Sequence, residues 1–427
     1  GSATAAHQVE GNNTNSDWWA WEQVPGHIRN NDRSGLADNH YQLFGQDLAL
    51  ARQMRHNAYR FSVEWARLEP EAGRFDAREL AHYRAVLEAC KSNGLAPVVT
   101  LFHFTLPQWL AQRGGWANPE TVQAFERFAA HVGAGLGDLT DYWCTLNEPV
   151  VYLGAGYGRG VFPPQHANWG EARKTMTNLA KGHVAAFQAL KRTDRRDADG
   201  DGGACLVSIA HHMRVFDPAR PLHPLDVAAA RTADYLFNKA FLKAITREKL
   251  IITAPNLPVV AESIPGGRGC LDFLGVNYYS RDLIQFDLKA PGFIRQTLPP
   301  GAATNDLAWE IYPEGFYRVL MSAWRDWKLP IMVTENGIAD AADSRRPEFI
   351  RRHLQEMARA MRAGVPVIGY MHWSLMDNFE WAEGFAPRFG LLAVDYATQA
   401  RKPTAGARVY SEVIEKGALE LPEDTGE

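Results

Sequence analysis

The fold class is decided by residues 78–103, which read RELAHYRAVLEACKSNGLAPVVTLFH. Apolar side chains recur at helical spacing from Leu80 to Cys90, and Gly94 follows at the point where a helix is expected to end. The next run, Ala96–His103, is apolar and contains several β-branched residues, which is typical of a buried strand. This stretch therefore predicts one helix–strand unit of a parallel α/β fold.

The same alternation of strands and helices continues along the chain. Strands are predicted at Ala58–Val63, Ala96–His103, Tyr142–Leu146, Ala204–His211, Phe273–Tyr278, Ile331–Thr334 and Val367–Trp373, with a first strand near Ala3–Gln8 and a long loop at Pro291–Gly301. Eight such strands close most simply into a barrel, although a doubly wound sheet also fits the pattern. We therefore predict an α/β chain forming a single (β/α)8 TIM barrel with extended βα loops, in one catalytic domain over residues 1–427.

The composition excludes several classes of partner. Apolar residues make up 46% of the chain and charged residues 22%, which is ordinary for a soluble globular enzyme. The net charge is −4 and no basic stripe is evident, so no nucleic-acid partner is expected. No apolar run approaches the roughly 18 residues of a membrane span, and no leader pattern opens the sequence. We expect no membrane association, and cytoplasmic localisation is the default expectation.

The cysteines and aspartates do not predict a metal site. The four cysteines lie far apart at positions 90, 144, 205 and 270, so we expect reduced, mostly buried thiols. Asp197, Asp199 and Asp201 imitate the start of a calcium loop, but its twelfth position is Ser208 rather than glutamate. No glycine-rich phosphate loop or cofactor motif appears, so neither a metal nor a cofactor is expected.

Polar residues concentrate at the C-terminal ends of the predicted strands. In a (β/α)8 barrel these ends converge on one pocket, and catalytic groups come from several of them. The residues that share this position are Gln8, Glu10, Arg60, His103, Asn147, Glu148, Asn277, Tyr279, Glu335 and Trp373. Each has a structural explanation when taken alone, and a lone histidine such as His103 is more often structural than ligand-binding. Their common position indicates a functional site.

Two glutamates in this set, Glu148 and Glu335, follow strongly apolar strands, where an unpaired carboxylate is costly to bury. The alternative for each is a helix N-terminal acid that the helix dipole favours. On the fourth and seventh strands, however, the two would face each other across the barrel mouth. Glycoside cleavage needs such a pair, with one acid to protonate the leaving oxygen and one carboxylate to attack the anomeric carbon.

Five segments together resemble glycoside hydrolase family 1. They are Gln8-Val9-Glu10-Gly11, Thr145-Leu146-Asn147-Glu148-Pro149, Val276-Asn277-Tyr278-Tyr279, Thr334-Glu335-Asn336-Gly337 and the run His372-Trp373-Ser374-Leu375-Met376-Asp377-Asn378-Phe379-Glu380-Trp381. They follow the family's order across essentially the whole chain. Phe104-Thr105-Leu106-Pro107 departs from the more usual Trp-Asp at its first two positions, which concerns a subsite contact and not the chemistry.

The resemblance implies a (β/α)8 barrel and a double-displacement mechanism. By this similarity Glu335 is the nucleophile and Glu148 is the acid/base. Arg60 and Tyr279 would keep Glu335 charged and aimed, and Asn147 would hold the sugar 2-hydroxyl. The negative charge of Glu335 is expected to raise the proton affinity of Glu148 until Glu335 becomes esterified.

The resemblance also implies a substrate class. The sugar-binding residues would be Gln8, His103, Asn147, Asn277, Trp373, Glu380 and Trp381, with Trp309 as a platform for the aglycone. A core role is an equally good interpretation of Trp309, and the better one for Trp381 if it stood alone. Because Glu380 would repel a phosphate, the implied substrates are small neutral β-D-glucosides and short oligosaccharides such as cellobiose, with β-galactosides and β-fucosides as secondary substrates.

Three alternatives are less favoured. A 6-phospho-β-glycosidase typically replaces the acid at position 380, and a sugar-binding pseudoenzyme usually lacks one of the two catalytic glutamates, both of which are present here. A metal-dependent barrel hydrolase would want a His-x-His strand end, whereas His211 and His212 are adjacent and point to opposite faces of a strand. A homo-oligomer is compatible with the sequence.

Overall fold

The computed structural model of the chain describes residues 1–252 and 260–418. Eight parallel strands close into a barrel in which each strand pairs with its neighbours in sequence, as predicted. The barrel strands are β1 Ser2–Ala3, β2 Ala58–Ser62, β3 Ala96–Phe102, β4 Tyr142–Asn147, β5 Leu206–His212, β6 Leu274–Asn277, β7 Ile331–Asn336 and β8 Val367–Trp373. The single-domain span of 1–427 stays a prediction, because residues 253–259 and 419–427 lie outside the described ranges.

Helices follow the barrel strands and cover the outside of the barrel. The principal helices are α1 His40–Gln53, α2 Ala77–Ser92, α3 Glu120–Leu136, α4 Trp169–Thr193, α5 Ala240–Arg247, α6 Pro313–Trp327, α7 Arg346–Arg362 and α8 Ala405–Lys416. Other helical segments are Ala6–Val9, Asp17–Glu22, Arg29–Asn31, Trp65–Leu68, Gln108–Ala111, Gly115–Ala117, Pro149–Leu153, Gly154–Arg159, Pro224–Asp234, Tyr235–Lys239, Pro291–Phe293 and Trp381–Glu383. No helix within the described residues is both long enough and apolar enough to cross a bilayer.

Helix α2 shows why the sequence folds in this way. The Asp76 carboxylate accepts a hydrogen bond of 2.8 Å from the Arg78 amide and so caps the start of the helix. The buried face contains Tyr83, Leu87 and Cys90, which are three of the residues whose spacing predicted the helix. All four cysteines of the chain are buried and free, in agreement with the expectation from their spacing.

The first strand is shorter than predicted. The strand near Ala3–Gln8 ends at Ala3, and Ala6–Val9 form a helical turn instead. The Ala6 amide donates to the Ser62 hydroxyl at 2.7 Å, so the chain leaves the strand ladder at this point. Gln8 therefore lies on a turn above the barrel and not at a strand end.

Smaller sheets lie outside the barrel. Strands Val215–Pro218, Arg281–Phe286 and Ile294–Thr297 form one sheet, Lys249–Ile252 pairs with Val260–Ser263, and Leu392–Asp395 pairs with Ala400–Pro403. The predicted loop Pro291–Gly301 is thus partly wrong, because it contains the strand Ile294–Thr297. Gly292, with φ of +63°, lets the chain reverse just before this strand.

One glycine brings the ends of β7 and β8 together. A Cβ atom on Gly337 would lie 1.8 Å from the carbonyl oxygen of Trp373, so only glycine permits this approach. Glu335, two residues earlier, is thereby held close to the end of β8.

Candidate active site

A cavity of about 1340 Å3 opens where the barrel strands end. Nine of the twelve predicted site residues line it, namely His103, Asn147, Glu148, Tyr279, Trp309, Glu335, Trp373, Glu380 and Trp381. The other three, Gln8, Arg60 and Asn277, lie behind this lining and donate hydrogen bonds to it. The structure therefore brings the whole predicted set together.

Both carboxylate oxygens of Glu335 are held by hydrogen-bond donors. Arg60 Nη1 donates to Oε1 at 2.6 Å, and the Tyr279 hydroxyl donates to Oε2 at 2.6 Å. Arg60 is fully buried, so its charge is little screened by water. Glu335 lies inside β7 and not at a helix start, which removes the helix-dipole explanation for this acid.

Arg60 also orients the side chain of Asn147. Its Nη2 donates to Asn147 Oδ1 at 2.8 Å, which turns the Asn147 amide nitrogen towards His103 Nε2 at 3.0 Å. Burial and the Arg60 charge hold the pKa of His103 well below its usual range, so this ring is neutral. Its Nδ1 has no partner among the described residues and is available to a ligand in the cavity.

Glu148 follows β4 in a left-handed conformation, with φ of 44°. It stands at the N-cap position of the helix Pro149–Leu153, yet its side chain makes no capping hydrogen bond. Asn277 Nδ2 instead donates to Oε1 at 2.9 Å, and the side-chain oxygen Oδ1 of Asn277 accepts a hydrogen bond of 2.6 Å from the Thr334 hydroxyl. Glu148 thus stands at a helix start, as the alternative interpretation held, but its carboxylate caps no backbone amide of that helix and lines the cavity.

His212 is a site residue that the sequence analysis missed. It ends β5 and lines the cavity, and its Nδ1 lies 3.3 Å from Glu148 Oε1, within ion-pair distance although not aligned as a hydrogen bond. The neighbouring His211 points to the other face, where it approaches the Asn238 carbonyl oxygen at 3.2 Å. The rule that strand-end residues form the site would have found His212, because the fifth strand was the one left without a candidate.

The two carboxyl groups have opposite pKa shifts. Burial raises the pKa of Glu335 to about 7; the Arg60 charge opposes this rise, and the Glu148 carboxylate adds to it. Burial also raises the pKa of Glu148, but His212 and the hydrogen bond from Asn277 outweigh it and leave that pKa below its usual value. This order is the reverse of the one expected from the sequence, because burial raises the pKa of Glu335 while His212 and Asn277 lower the pKa of Glu148. Two carboxyl groups that interact this closely titrate as a pair.

The opposite wall carries a third carboxyl group. Gln8 Nε2 donates to Asn378 Oδ1 at 2.8 Å and to Glu380 Oε2 at 3.4 Å. Burial raises the pKa of Glu380 to about 8, and the negative charges of Glu335 and Glu148 add to the rise. Gln8 Oε1 has no partner within the described part of the chain, so this wall offers an unused acceptor beside a carboxyl group.

Aromatic rings complete the wall. The His103 ring lies between Trp373 and Trp381, with centroid distances of 5.9 Å to each. Trp381 also packs on Trp18 at 4.7 Å, so it serves the core as well as the cavity. Trp309 packs on Tyr279 at 5.7 Å and is only partly buried, which favours a cavity role over a core role.

Two other acidic features lie away from the cavity. Glu10, although predicted at a strand end, accepts from Arg67 at 2.8 Å and from Tyr83 at 3.0 Å behind the barrel wall. The carboxylates of Asp141, Asp197 and Asp199 lie within 4.8 Å of one another. Asp197, however, accepts hydrogen bonds from two backbone amides, which close this turn without an ion.

Comparisons with known proteins agree with this geometry. The model of the family described as glycosyl hydrolase family 1 matches residues 1–418. The chain is 32% identical to a protein named beta-glucosidase A of Thermotoga maritima, over 98% of this chain and 97% of that protein. It is also 32% identical to a beta-galactosidase of Pyrococcus woesei, over 94% and 91% of the two chains.

Solved structures give the same result. A beta-glycosidase from Pyrococcus horikoshii superposes with a TM-score of 0.89 at 36% identity, over 99% of this chain and 97% of that chain. A family 1 glucosidase from Thermotoga maritima superposes with a TM-score of 0.91 at 31% identity, with the same coverage. The chain therefore belongs to glycosyl hydrolase family 1 and is a β-glycosidase.

Proposed function

We propose that the protein is a retaining glycosidase that removes terminal β-D-glucosyl residues by double displacement. The proposal rests on the difference between the hydrogen-bond partners of the two acids, Glu335 and Glu148. Both oxygens of Glu335 are fixed by Arg60 and Tyr279, whereas Glu148 accepts from Asn277 and stands beside an ionisable histidine. A nucleophile must be charged and aimed, and an acid/base must exchange its proton.

In the first step, an oxygen of Glu335 attacks the anomeric carbon, the bond from that carbon to the aglycone oxygen breaks, and Glu148 gives its proton to the departing oxygen. In the second step, Glu148 removes a proton from water, which attacks the same carbon and releases Glu335. Arg60 opposes the rise that burial causes in the pKa of Glu335, so it favours the charged nucleophile. Asn147, oriented by Arg60, would hold the sugar 2-hydroxyl.

His212 would orient the acid/base. Its Nδ1 lies 3.3 Å from Glu148 Oε1, and catalytic hydrogen bonds are often long without substrate and tighten when it binds. A closer contact with His212 would hold the Glu148 carboxyl group in place as it gives up and takes back its proton.

The residues around Glu380 indicate which sugars the cavity would bind. Gln8 and Glu380 would bind ring hydroxyls, Trp373 and Trp381 would cover the ring, and His103 Nδ1 is free to bind another hydroxyl. A phosphate on the sugar would meet three carboxyl groups, so a 6-phospho-β-glycosidase is disfavoured. The two relatives above are named a beta-glucosidase and a beta-galactosidase, which supports β-glucosides as leading and β-galactosides as secondary substrates. The proposal also includes short oligosaccharides such as cellobiose among the leading substrates and β-fucosides among the secondary ones.

The test is hydrolysis of 4-nitrophenyl β-glucoside, β-galactoside and 6-phospho-β-glucoside side by side, with Glu335→Gln as the control. We expect turnover of the unphosphorylated sugars that disappears in the variant. Turnover of the phosphorylated sugar alone would contradict the role of Glu380. No turnover of any of the three would favour a sugar-binding protein that has lost catalysis.

A further inference from the structure

The aglycone half of the cavity can be located from the proposed function, on which this inference rests. The aglycone receives the proton of Glu148, so it must lie on that side of the cavity, next to the segments that follow β4 and β5. Two of the arginines that line the cavity belong to these segments. They are Arg159, eleven residues after Glu148, and Arg214, two residues after His212.

A third arginine joins them from the start of α4. Arg173 lines the same cavity, and the segment before α4 is tied to the segment of Arg159 because the Asn168 amide donates to the Tyr157 carbonyl at 3.0 Å. Burial and the positive charge of Arg214 lower the pKa of Arg159, so these two guanidinium groups are close enough to repel each other.

Among the described residues, an acid neutralises only one of these three charges. Within the described ranges, no carboxylate oxygen lies within 4.0 Å of Arg159 or Arg173, and only Arg214 has an acidic partner, Asp282 at 2.9 Å. Glu171, the acid next to Arg173 on α4, is bound by His166 at 2.5 Å. The sequence TAPNLPV at 253–259, which follows the cavity residue Ile252, contains no charged side chain.

An exposed aromatic ring lies beside the same arginines. Trp169 lines the cavity and is 67% exposed, which is unusual for so large an apolar side chain. Trp169 and Arg173 are four residues apart in one helix, so they lie on the same face about one turn apart. Phe237 and Phe293 add further apolar surface to this lining.

We propose that the aglycone half of the cavity binds aromatic aglycones that end in a carboxylate. The ring lies against Trp169, and the carboxylate is bound by Arg159 and Arg173. Planar guanidinium groups match a carboxylate in geometry, and an arginine without an acidic partner gains most from an anionic ligand. The preferred natural substrates are then β-glucosides of phenolic acids.

The test compares two substrates that differ only in this charge. They are the phenolic β-glucoside of 3-(4-hydroxyphenyl)propanoic acid and its methyl ester, whose leaving groups are nearly equal. We expect kcat/KM to be about tenfold higher for the acid than for the ester. This is the size of effect expected when one carboxylate forms two partly exposed ion pairs, here with Arg159 and Arg173. The preference should fall as salt is added.

The double variant Arg159→Gln/Arg173→Gln should bring the ratio of the two kcat/KM values close to one. Arg173→Lys should keep part of the preference, because it keeps the charge. The matched control is Arg362→Gln, an exposed arginine at the end of α7 that does not line the cavity, and it should keep the wild-type ratio.

Equal turnover of acid and ester by the wild type, or an unchanged ratio in the double variant, would overturn the inference and leave the proposed function intact. Turnover of neither substrate, nor of 4-nitrophenyl β-glucoside, would overturn both. A ratio that falls equally in the Arg362→Gln control would also count against the inference, because the effect would then not belong to this half of the cavity.

Discussion

The two halves of the cavity are built in opposite ways. The half around Glu380 is buried and is connected by hydrogen bonds among Gln8, Asn378 and Glu380, while its charges are acidic. The half beyond Glu148 carries the exposed ring of Trp169, together with Arg159 and Arg173, which have no acidic partner among the described residues. A fixed network recognises one shape closely, whereas exposed rings and long charged side chains accept several. The sugar should therefore be selected more strictly than the aglycone.

The largest loss of activity should come from changing the two catalytic acids, Glu335 and Glu148, which lie between the two halves. Glu335→Gly should lower kcat on an aryl β-glucoside by about 10⁵-fold, because it removes a covalent nucleophile. Added azide should restore turnover and give the α-glucosyl azide, identified by NMR of the product. Glu148→Gly is the matched variant, and azide should there give the β-glucosyl azide. Exchanged products would mean that the roles of the two acids are exchanged.

A smaller loss is expected on the sugar side. Glu380→Gln should lower kcat/KM on β-glucosides by about 10- to 100-fold, because hydrogen bonds to a charged group contribute about 1.5–3 kcal/mol. Since the pKa of Glu380 is raised to about 8, the loss should grow as the pH rises towards 8 and the wild-type carboxyl group ionises. The control is Glu71→Gln, an exposed acid paired with Arg74. A variant that matches the wild type at every pH would remove Glu380 from the sugar site.

The third effect concerns the pH profile and not the rate maximum. The His212 charge lowers the pKa of Glu148, and activity is lost on the alkaline side as the coupled pair of Glu148 and Glu335 gives up its last proton. His212→Asn should therefore move the alkaline limb of kcat/KM upwards by about one pH unit, as the loss of a nearby opposite charge does. His211→Asn, which changes the neighbour on the other strand face, should leave that limb in place. A downward shift in His212→Asn would contradict the proposed link to Glu148.

Strand alternation predicted the barrel strands, and strand-end position predicted nine of the twelve site residues, because both follow from backbone periodicity. The family resemblance alone implied the other three, Trp309, Glu380 and Trp381. What they did not predict depends on contacts between distant segments. The turn at Ala6 depends on a hydrogen bond to Ser62, and the order of the two carboxyl pKa values depends on His212, which comes from a different strand. Arg159 and Arg214 of the aglycone half lie on the segments that follow β4 and β5, where no strand or long helix of the predicted pattern indicates which side chains face inward.

The smallest effect should come from the exposed ring of the aglycone half. Trp169→Ala should lower kcat/KM on phenyl β-glucoside by about two- to tenfold, because an aromatic pair contributes about 0.5–1.5 kcal/mol beyond the area it buries. The same variant should lose much less on methyl β-glucoside, whose aglycone is too small to reach the ring. Leu222→Ala, which alters a 98% exposed side chain outside the cavity lining, is the control. Equal losses on both substrates would mean that Trp169 supports the fold of the rim and not the aglycone, and the contrast between the two halves would then rest on the arginines alone.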